Sequence, residues 1–126
     1  MKIILDASAW IEYLSDSSFA EHIERHISHS DCFTLTITLA EIVAKLIRDL
    51  RDIKEPILAI QTISHLVSPD QELAINTAQI YAARRKTHPK IALSDAFIIA
   101  FARREGAKIL TKDTDFAGLP EAILLK

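Results

Sequence analysis

The sequence predicts an α/β protein, a three-layer α/β/α sandwich around a mostly parallel sheet of four or five strands. Two observations carry this expectation. Short runs of consecutive apolar residues, such as Ile3-Ile4-Leu5, alternate with longer segments of helical period. Strands that are apolar at successive positions are buried on both faces, as in parallel sheets covered by helices. A third observation bounds the size. With 126 residues, 49% of them hydrophobic and 25% charged, the chain suffices for one globular core, so a single domain over residues 1–126 is expected.

The elements follow in order. Lys2–Asp6 reads as a buried strand, and Ala7–Leu14 as a helix carrying Trp10, Ile11 and Leu14. Ser17–Ser28 is a second helix, with Phe19, Ile23 and Ile27 at four-residue spacing. Cys32–Ile37 is strand-like, rich in Thr and β-branched residues. Thr38–Arg51 has the clearest helical period, through Leu39, Ile42, Val43, Leu46, Ile47 and Leu50. Pro56 falls in the first turn of a helix reaching about His65, and Leu66–Val67 is a short strand stopped by Pro69. Asp70–Arg85 is helical and Thr87–Lys90 a loop. Ser94–Arg104 is apolar nearly all round, which predicts a central helix packed on both sides and ended by Gly106. Ala107–Thr111 is a strand, Thr114–Ala117 a helical turn, and Ala122–Leu125 a last strand. Extra helices are expected between the second and third strands. No linker or repeat interrupts the pattern.

Several function classes are excluded. The longest apolar run, Ala96–Ala102, has seven residues and falls far short of a membrane span. Asp6 interrupts any signal-peptide core. The lone Cys32 favours a reducing compartment, so a cytoplasmic location is expected. Only two glycines occur, which rules out a P-loop and a GxGxxG fingerprint.

The candidate chemistry lies in four acids: Asp6, Glu41, Asp95 and Asp113. Each stands where a regular element begins or ends. In an open α/β sheet, strand carboxyl ends and helix amino ends gather on one edge, where ligands bind. Converging there, the acids would repel one another unless a hard cation neutralised them. Each also has a local explanation. Asp6 could cap the helix that follows. Glu41 completes Thr38-Leu39-Ala40-Glu41, which fits a capping box. Asp95 could be a favourable charge at a helix start, and Asp113 a turn residue. The local explanations do not predict four acids from four elements on one edge. Net charge is −2, but setting the four acids aside leaves 15 basic against 13 acidic residues, a surface that permits polyanion binding.

The strings Ile4-Leu5-Asp6-Ala7-Ser8, Thr38-Leu39-Ala40-Glu41, Leu93-Ser94-Asp95-Ala96 and Leu110-Thr111-Lys112-Asp113-Thr114-Asp115-Phe116 resemble, in order and spacing, the four signature blocks of the PIN-domain family. The chain length is similar to that of the compact VapC-type toxins of that family. The resemblance implies a metal-dependent endoribonuclease, the toxin of a toxin–antitoxin pair. It implies Asp6, Glu41, Asp95 and Asp113 as metal-binding acids and Ser8 as a polar helper. Asp115 lies near the fourth block and could share or replace the role of Asp113. Carboxylate oxygens suit Mg²⁺ or Mn²⁺, which activate water for attack on phosphorus. Ser8 or Thr111 could orient a water or phosphate oxygen. The resemblance also implies an RNA substrate, a two-fold homodimer, and an antitoxin whose apolar segment covers helices while a basic side chain reaches the acids. Leu58, Ile60, Ile63, Ile75 and Ile80 are candidates for an exposed patch.

A phosphoaspartyl protein also places acids at strand ends, with Lys112 as its lysine, but the adjacent acidic pair of a receiver is missing. A catalytically inert binding module would not require all four acids. His22, His26 and His29 form a helical stripe, but His22 and His29 lie about 10.5 Å apart along the axis, too far to share one zinc ion. Cys32, Trp10, Phe97 and Phe101 read as core residues. Arg84-Arg85-Lys86 and Arg103-Arg104 are either phosphate contacts or solvated helix ends.

Overall fold

A computed structural model describes all 126 residues. Five strands, β1 (Lys2–Leu5), β2 (Asp31–Leu35), β3 (His65–Val67), β4 (Lys108–Thr111) and β5 (Ala122–Leu124), form one sheet in the order β3-β2-β1-β4-β5. Every pairing is parallel, so the sheet is fully rather than mostly parallel. Helix pairs fill the first three connections. These are α1 (Ala7–Leu14) with α2 (Ala20–Ser28), α3 (Thr36–Arg48) with α4 (Lys54–Ile63), and α5 (Gln71–Arg84) with α6 (Leu93–Glu105). A 3₁₀ turn, Thr114–Phe116, lies between β4 and β5.

The side-chain alternation of β1 defines two cores. Ile3 and Leu5 face Trp10, Ile23, Ile42 and Ile60 of α1 to α4. Ile4 faces the opposite way, onto Leu73 of α5 and Ile98, Ile99 and Phe101 of α6. Helix α6 packs against α5 on one side and against β1 and β4 on the other, as its nearly continuous apolar sequence requires. The one polar network inside the first core is a hydroxyl relay. Trp10 Nε1 donates to Thr34 Oγ1 at 3.0 Å, Thr34 and Ser64 share a hydrogen bond of 2.8 Å, and Ser64 Oγ also contacts the Ile60 carbonyl.

The chain runs outward from β1 through β2 to β3, then returns to build β4 and β5 on the other side. The strand order therefore reverses between β1 and β4, which makes their carboxyl ends the natural crevice of the sheet. Leu5 is in register with Leu110 there, and the Asp6 amide donates to the Leu110 carbonyl.

Several boundaries differ from the sequence expectation. Strand β2 ends at Leu35, and Thr36 and Ile37 are already helical. Thr38 is therefore inside the first turn of α3 and buried, and no capping box joins it to Glu41. The apolar stripe had hidden this, because Thr and Ile serve strand and helix starts alike. Helix α3 stops at Arg48, and Leu50 lies beyond it, exposed and at φ +56°. Helix α2 begins at Ala20, because the Ser17 hydroxyl accepts the Phe19 amide and holds a turn before it. Of the expected surface patch, Leu58 and Ile75 are exposed, but Ile60 is fully buried and Ile63 and Ile80 pack against the cores. The expected continuous patch on these helices is thus broken up.

Candidate acidic site

The edge between β1 and β4 collects the acids. Asp6 leaves the end of β1 and caps α1, accepting the Ala9 amide at 2.9 Å. The same oxygen accepts the Ser8 hydroxyl at 2.7 Å, and the other accepts Thr111 Oγ1 from the end of β4. Ser8 Oγ in turn accepts the Lys112 amide at 2.9 Å. The ends of β1 and β4 are thus sewn together by Asp6, Ser8 and Thr111. Asp6 is 3% exposed. Burial pushes its carboxyl above the ordinary range, the hydrogen bonds from Thr111, Ala9 and Ser8 oppose this, and the Asp113 charge adds to it.

Asp95 sits in the first turn of α6, where its carboxylate accepts the Ala92 amide at 3.2 Å. Asp113 caps the 3₁₀ turn by accepting the Asp115 amide at 2.8 Å, while its own amide donates to Thr111 Oγ1. Carboxylate oxygens of Asp95, Asp113 and Asp115 lie within 4.8 Å of one another. Asp115 therefore joins Asp113 in this cluster rather than replacing it. Glu41 approaches from α3 and accepts the Ser94 hydroxyl at 3.0 Å. Asp6 and Glu41 stand outside the tight group of three, yet both act on it. The Asp95 carboxyl is pushed up to about 7, first by burial and then by the charges of Asp113, Asp6 and Glu41, against the opposing Ala92 hydrogen bond.

None of these five acids takes part in an ion pair; the chain's six ion pairs engage other carboxylates. Like charges held this close without a protein cation suit an external one. The donors are hard oxygens, which match Mg²⁺ or Mn²⁺ and not a soft-ligand metal.

His22 and His26 stack with ring centroids 5.1 Å apart, but no group of three ligating side chains forms around them. Burial pushes the Cys32 thiol up to about 11, which leaves it a protonated core residue. Trp10 and Phe101 are buried and Phe97 packs against the core. Arg103 pairs with Glu121 and Arg104 with Asp70 in solvent-exposed ion pairs. Arg84 is not a solvated helix end; it turns inward onto the loop that carries Asp113 and Asp115. Nothing local in the sequence signals that contact, nor the Ser94–Glu41 bond, since each spans dozens of residues. A cleft of about 680 Å³ between α1, α3 and α4 is lined by none of these five acids.

An all-parallel sheet with an acid cluster at its reversal point defines an α/β protein with a carboxylate site at the switch point of its sheet. Residues 3–122 match the PIN domain family, and the chain belongs to that family. No curated protein is significantly similar to it in sequence. Among solved structures it is similar to a chain of the VapBC2 complex from Rickettsia felis bound to a DNA fragment from their promoter. The TM-score is 0.75 at 15% identity, over 99% of this chain and 98% of that one. It is similar to a chain of a toxin–antitoxin complex from Klebsiella pneumoniae, with TM-score 0.72 and 19% identity over 96% and 95% of the two chains. VapC20 from Mycobacterium tuberculosis, a toxin that cleaves the sarcin–ricin loop, matches with TM-score 0.71 and 17% identity over 94% and 95%. At these identities the likeness is one of fold.

Proposed function

We propose that this protein is a metal-dependent endoribonuclease and the toxin of a toxin–antitoxin pair. The observation that carries the reading is the convergence of Asp6, Glu41, Asp95, Asp113 and Asp115 on one sheet edge with no protein cation among them. Membership of the PIN domain family and the fold shared with VapC20 support the reaction class. Asp95, Asp113 and Asp115 would hold Mg²⁺ or Mn²⁺, with Asp6 and Glu41 completing the charge set. What such an ion supplies is Lewis acidity toward water and a phosphodiester.

The chain's own groups set the geometry. Ser8, Thr111 and the Ala9 amide hold the Asp6 carboxylate in one orientation, and Ser94 does the same for Glu41. Ser8, whose one proton goes to Asp6, is the candidate to accept from and orient a water beside Asp6. A phosphoaspartyl role for Asp6 is disfavoured. Its oxygens already accept three hydrogen bonds in a buried setting, and the Lys112 ammonium is engaged with Glu12 and lies 5.1 Å over the Phe19 ring.

In this reading the protein is one domain acting in the cytoplasm on RNA, as a homodimer. Its antitoxin is a small protein that seats an apolar segment against the helices, with the cleft beside exposed Leu58 as the seat. The segment's Arg or Lys would neutralise the acids in place of the metal. The solved toxin–antitoxin complexes with this fold support such a partner.

The direct test is cleavage of single-stranded RNA. Purified protein is expected to cut with Mg²⁺ or Mn²⁺ and not in EDTA. Asp6→Asn and Asp95→Asn should each reduce the rate by about 100-fold or more, because each removes a charge from the site. Full cleavage in EDTA, or full cleavage by both variants, refutes the assignment.

A further inference from the structure

Two of the five acids, Asp113 and Asp115, stand on the connection Lys112–Glu121, whose only regular structure is a three-residue 3₁₀ turn. A turn that short does not hold a pair of mutually repelling carboxylates beside a third. Something outside the segment must fix it. From below, Phe116 is fully buried among α5, α6 and the sheet. From the side, Arg84 at the end of α5 reaches across. Its Nη2 donates to the Asp115 carbonyl at 2.9 Å and to the Ala117 carbonyl at 2.7 Å.

The same nitrogen lies 3.4 Å from His88 Nε2, but its two short contacts are to the backbone carbonyls that flank Phe116. These are charge-assisted bonds at a half-buried position, stronger than neutral ones. The Arg84 Nε is buried without an acceptor in the chain, so the group gives up solvation to make this contact. A solvated helix-end arginine would not be placed so. Two separate connections are linked here, because Arg84 ends α5, between β3 and β4, and Asp115, 31 positions on, lies between β4 and β5.

We propose that Arg84 is a positioning residue, clamping the Lys112–Glu121 connection so that the Asp113 and Asp115 carboxylates stay beside Asp95. The clamp is a matter of backbone geometry. Its consequence for metal binding rests on the reading given under Proposed function. The sign of that consequence separates a clamp from a simple charge. A cation near a metal pocket repels the metal, so on charge alone the loss of Arg84 would tighten Mn²⁺ binding. A clamp predicts the reverse.

The experiment compares wild type with Arg84→Met and Arg84→Lys by two readouts. The first is hydrogen exchange of the 112–119 amides in metal-free protein; the second is Mn²⁺ affinity by calorimetry. In Arg84→Met the connection should exchange about tenfold faster or more, with β1 and β4 amides unchanged. Mn²⁺ should bind about tenfold more weakly, as when a group that orients metal ligands is lost. Arg84→Lys keeps the charge but not the planar fork, and should fall between the two. Unchanged exchange in Arg84→Met overturns the clamp, as does Mn²⁺ binding that is equal or tighter. Should wild type bind no Mn²⁺, the metal reading fails and the exchange result alone decides the clamp. Should Arg84→Met not fold, Arg84→Lys decides on the same readouts, and wild-type behaviour in both overturns the proposal.

Discussion

Asp95→Asn offers the sharpest physical test of the acid cluster, because it should make the metal-free protein more stable. The Asp95 carboxyl titrates near 3.8 in the unfolded chain and near 7 in the folded one. Between these values the folded state holds a proton that the unfolded state has released. Stability contributed by this group therefore falls as pH rises through the window, and above pH 7 the full penalty is present. The interval corresponds to at most about 4 kcal/mol. Asp95 is half-buried, so solvent screening brings the expected penalty to about 2 kcal/mol. A charged carboxylate at a helix start recovers up to about 1 kcal/mol that the amide would forgo. Asparagine keeps an oxygen for the Ala92 amide, so that hydrogen bond survives the substitution.

The net expectation at pH 8, without metal, is a gain of about 1–2 kcal/mol, or roughly 3–10 °C in Tm. At pH 4 both proteins carry a neutral group there and the gain should vanish. The assay is thermal unfolding of wild type and variant across pH 4–8 in EDTA. Taking the difference between them cancels groups that respond the other way, such as His26, whose pKa burial lowers. Millimolar Mn²⁺ should then raise the wild-type Tm and leave Asp95→Asn nearly unmoved. A difference that stays flat with pH, or a variant less stable at pH 8, would refute the claim that ionised Asp95 is destabilised by burial and by the carboxylates beside it.

Three further outcomes are expected. Thr34→Val strips the acceptor from Trp10 Nε1 and one partner from Ser64, so unfolding should show a loss of about 2 kcal/mol; a loss near zero would mean that the relay is not intact in solution. Leu50→Gly should stabilise by about 0.5–1 kcal/mol, since Leu50 is 95% exposed and sits at φ +56°, where a side chain is strained; a destabilised variant would place that backbone elsewhere. Light scattering at micromolar concentration should give the mass of a dimer, and a strictly monomeric mass would remove the homodimer from the functional reading.

Much of the fold was legible because its signals are local and redundant. Ile3-Ile4-Leu5 and Ile109-Leu110 announce strands buried on both sides, and Ala96 to Ala102 announces a helix packed on both sides. The αL cap at Gly106, φ +65°, ends α6 where the sequence places it. The start of α3 was not legible, because Thr36-Ile37-Thr38 satisfies a strand and a helix equally and only the pairing of β2 with β3 decides between them. The Arg84 contact was hidden for a different reason. A basic residue in the last turn of a helix already has a sufficient local explanation, and its true partners are carbonyls, which leave no mark in a sequence. Ile60 was hidden too, because its burial rests on tertiary packing in the cluster that holds Ile42 and Leu46, not on its own character.

The local explanations for the acids and the pocket they form turn out to be one arrangement. Asp6 caps α1, Asp95 accepts an amide at the start of α6, and Asp113 caps the 3₁₀ turn. These amides point toward the sheet edge because helices following parallel strands begin there. Each one stabilises a carboxylate by a charge-assisted bond, which offsets part of the repulsion among the set. A cluster of acids placed on strand interiors would lack that compensation and would force its members to protonate. Placed at element junctions, the acids stay anchored and oriented, while burial first and the neighbouring charges after it raise Asp95 toward neutrality. Glu41 and Asp115 fall outside this rule: Glu41 has no amide to accept and is held instead by the Ser94 hydroxyl, and the Asp115 carboxylate accepts no hydrogen bond from the chain. Asp115 is placed only through its backbone, whose carbonyl Arg84 holds. Of the five it is therefore the acid whose side chain should reorient most readily when a cation or a partner's arginine arrives.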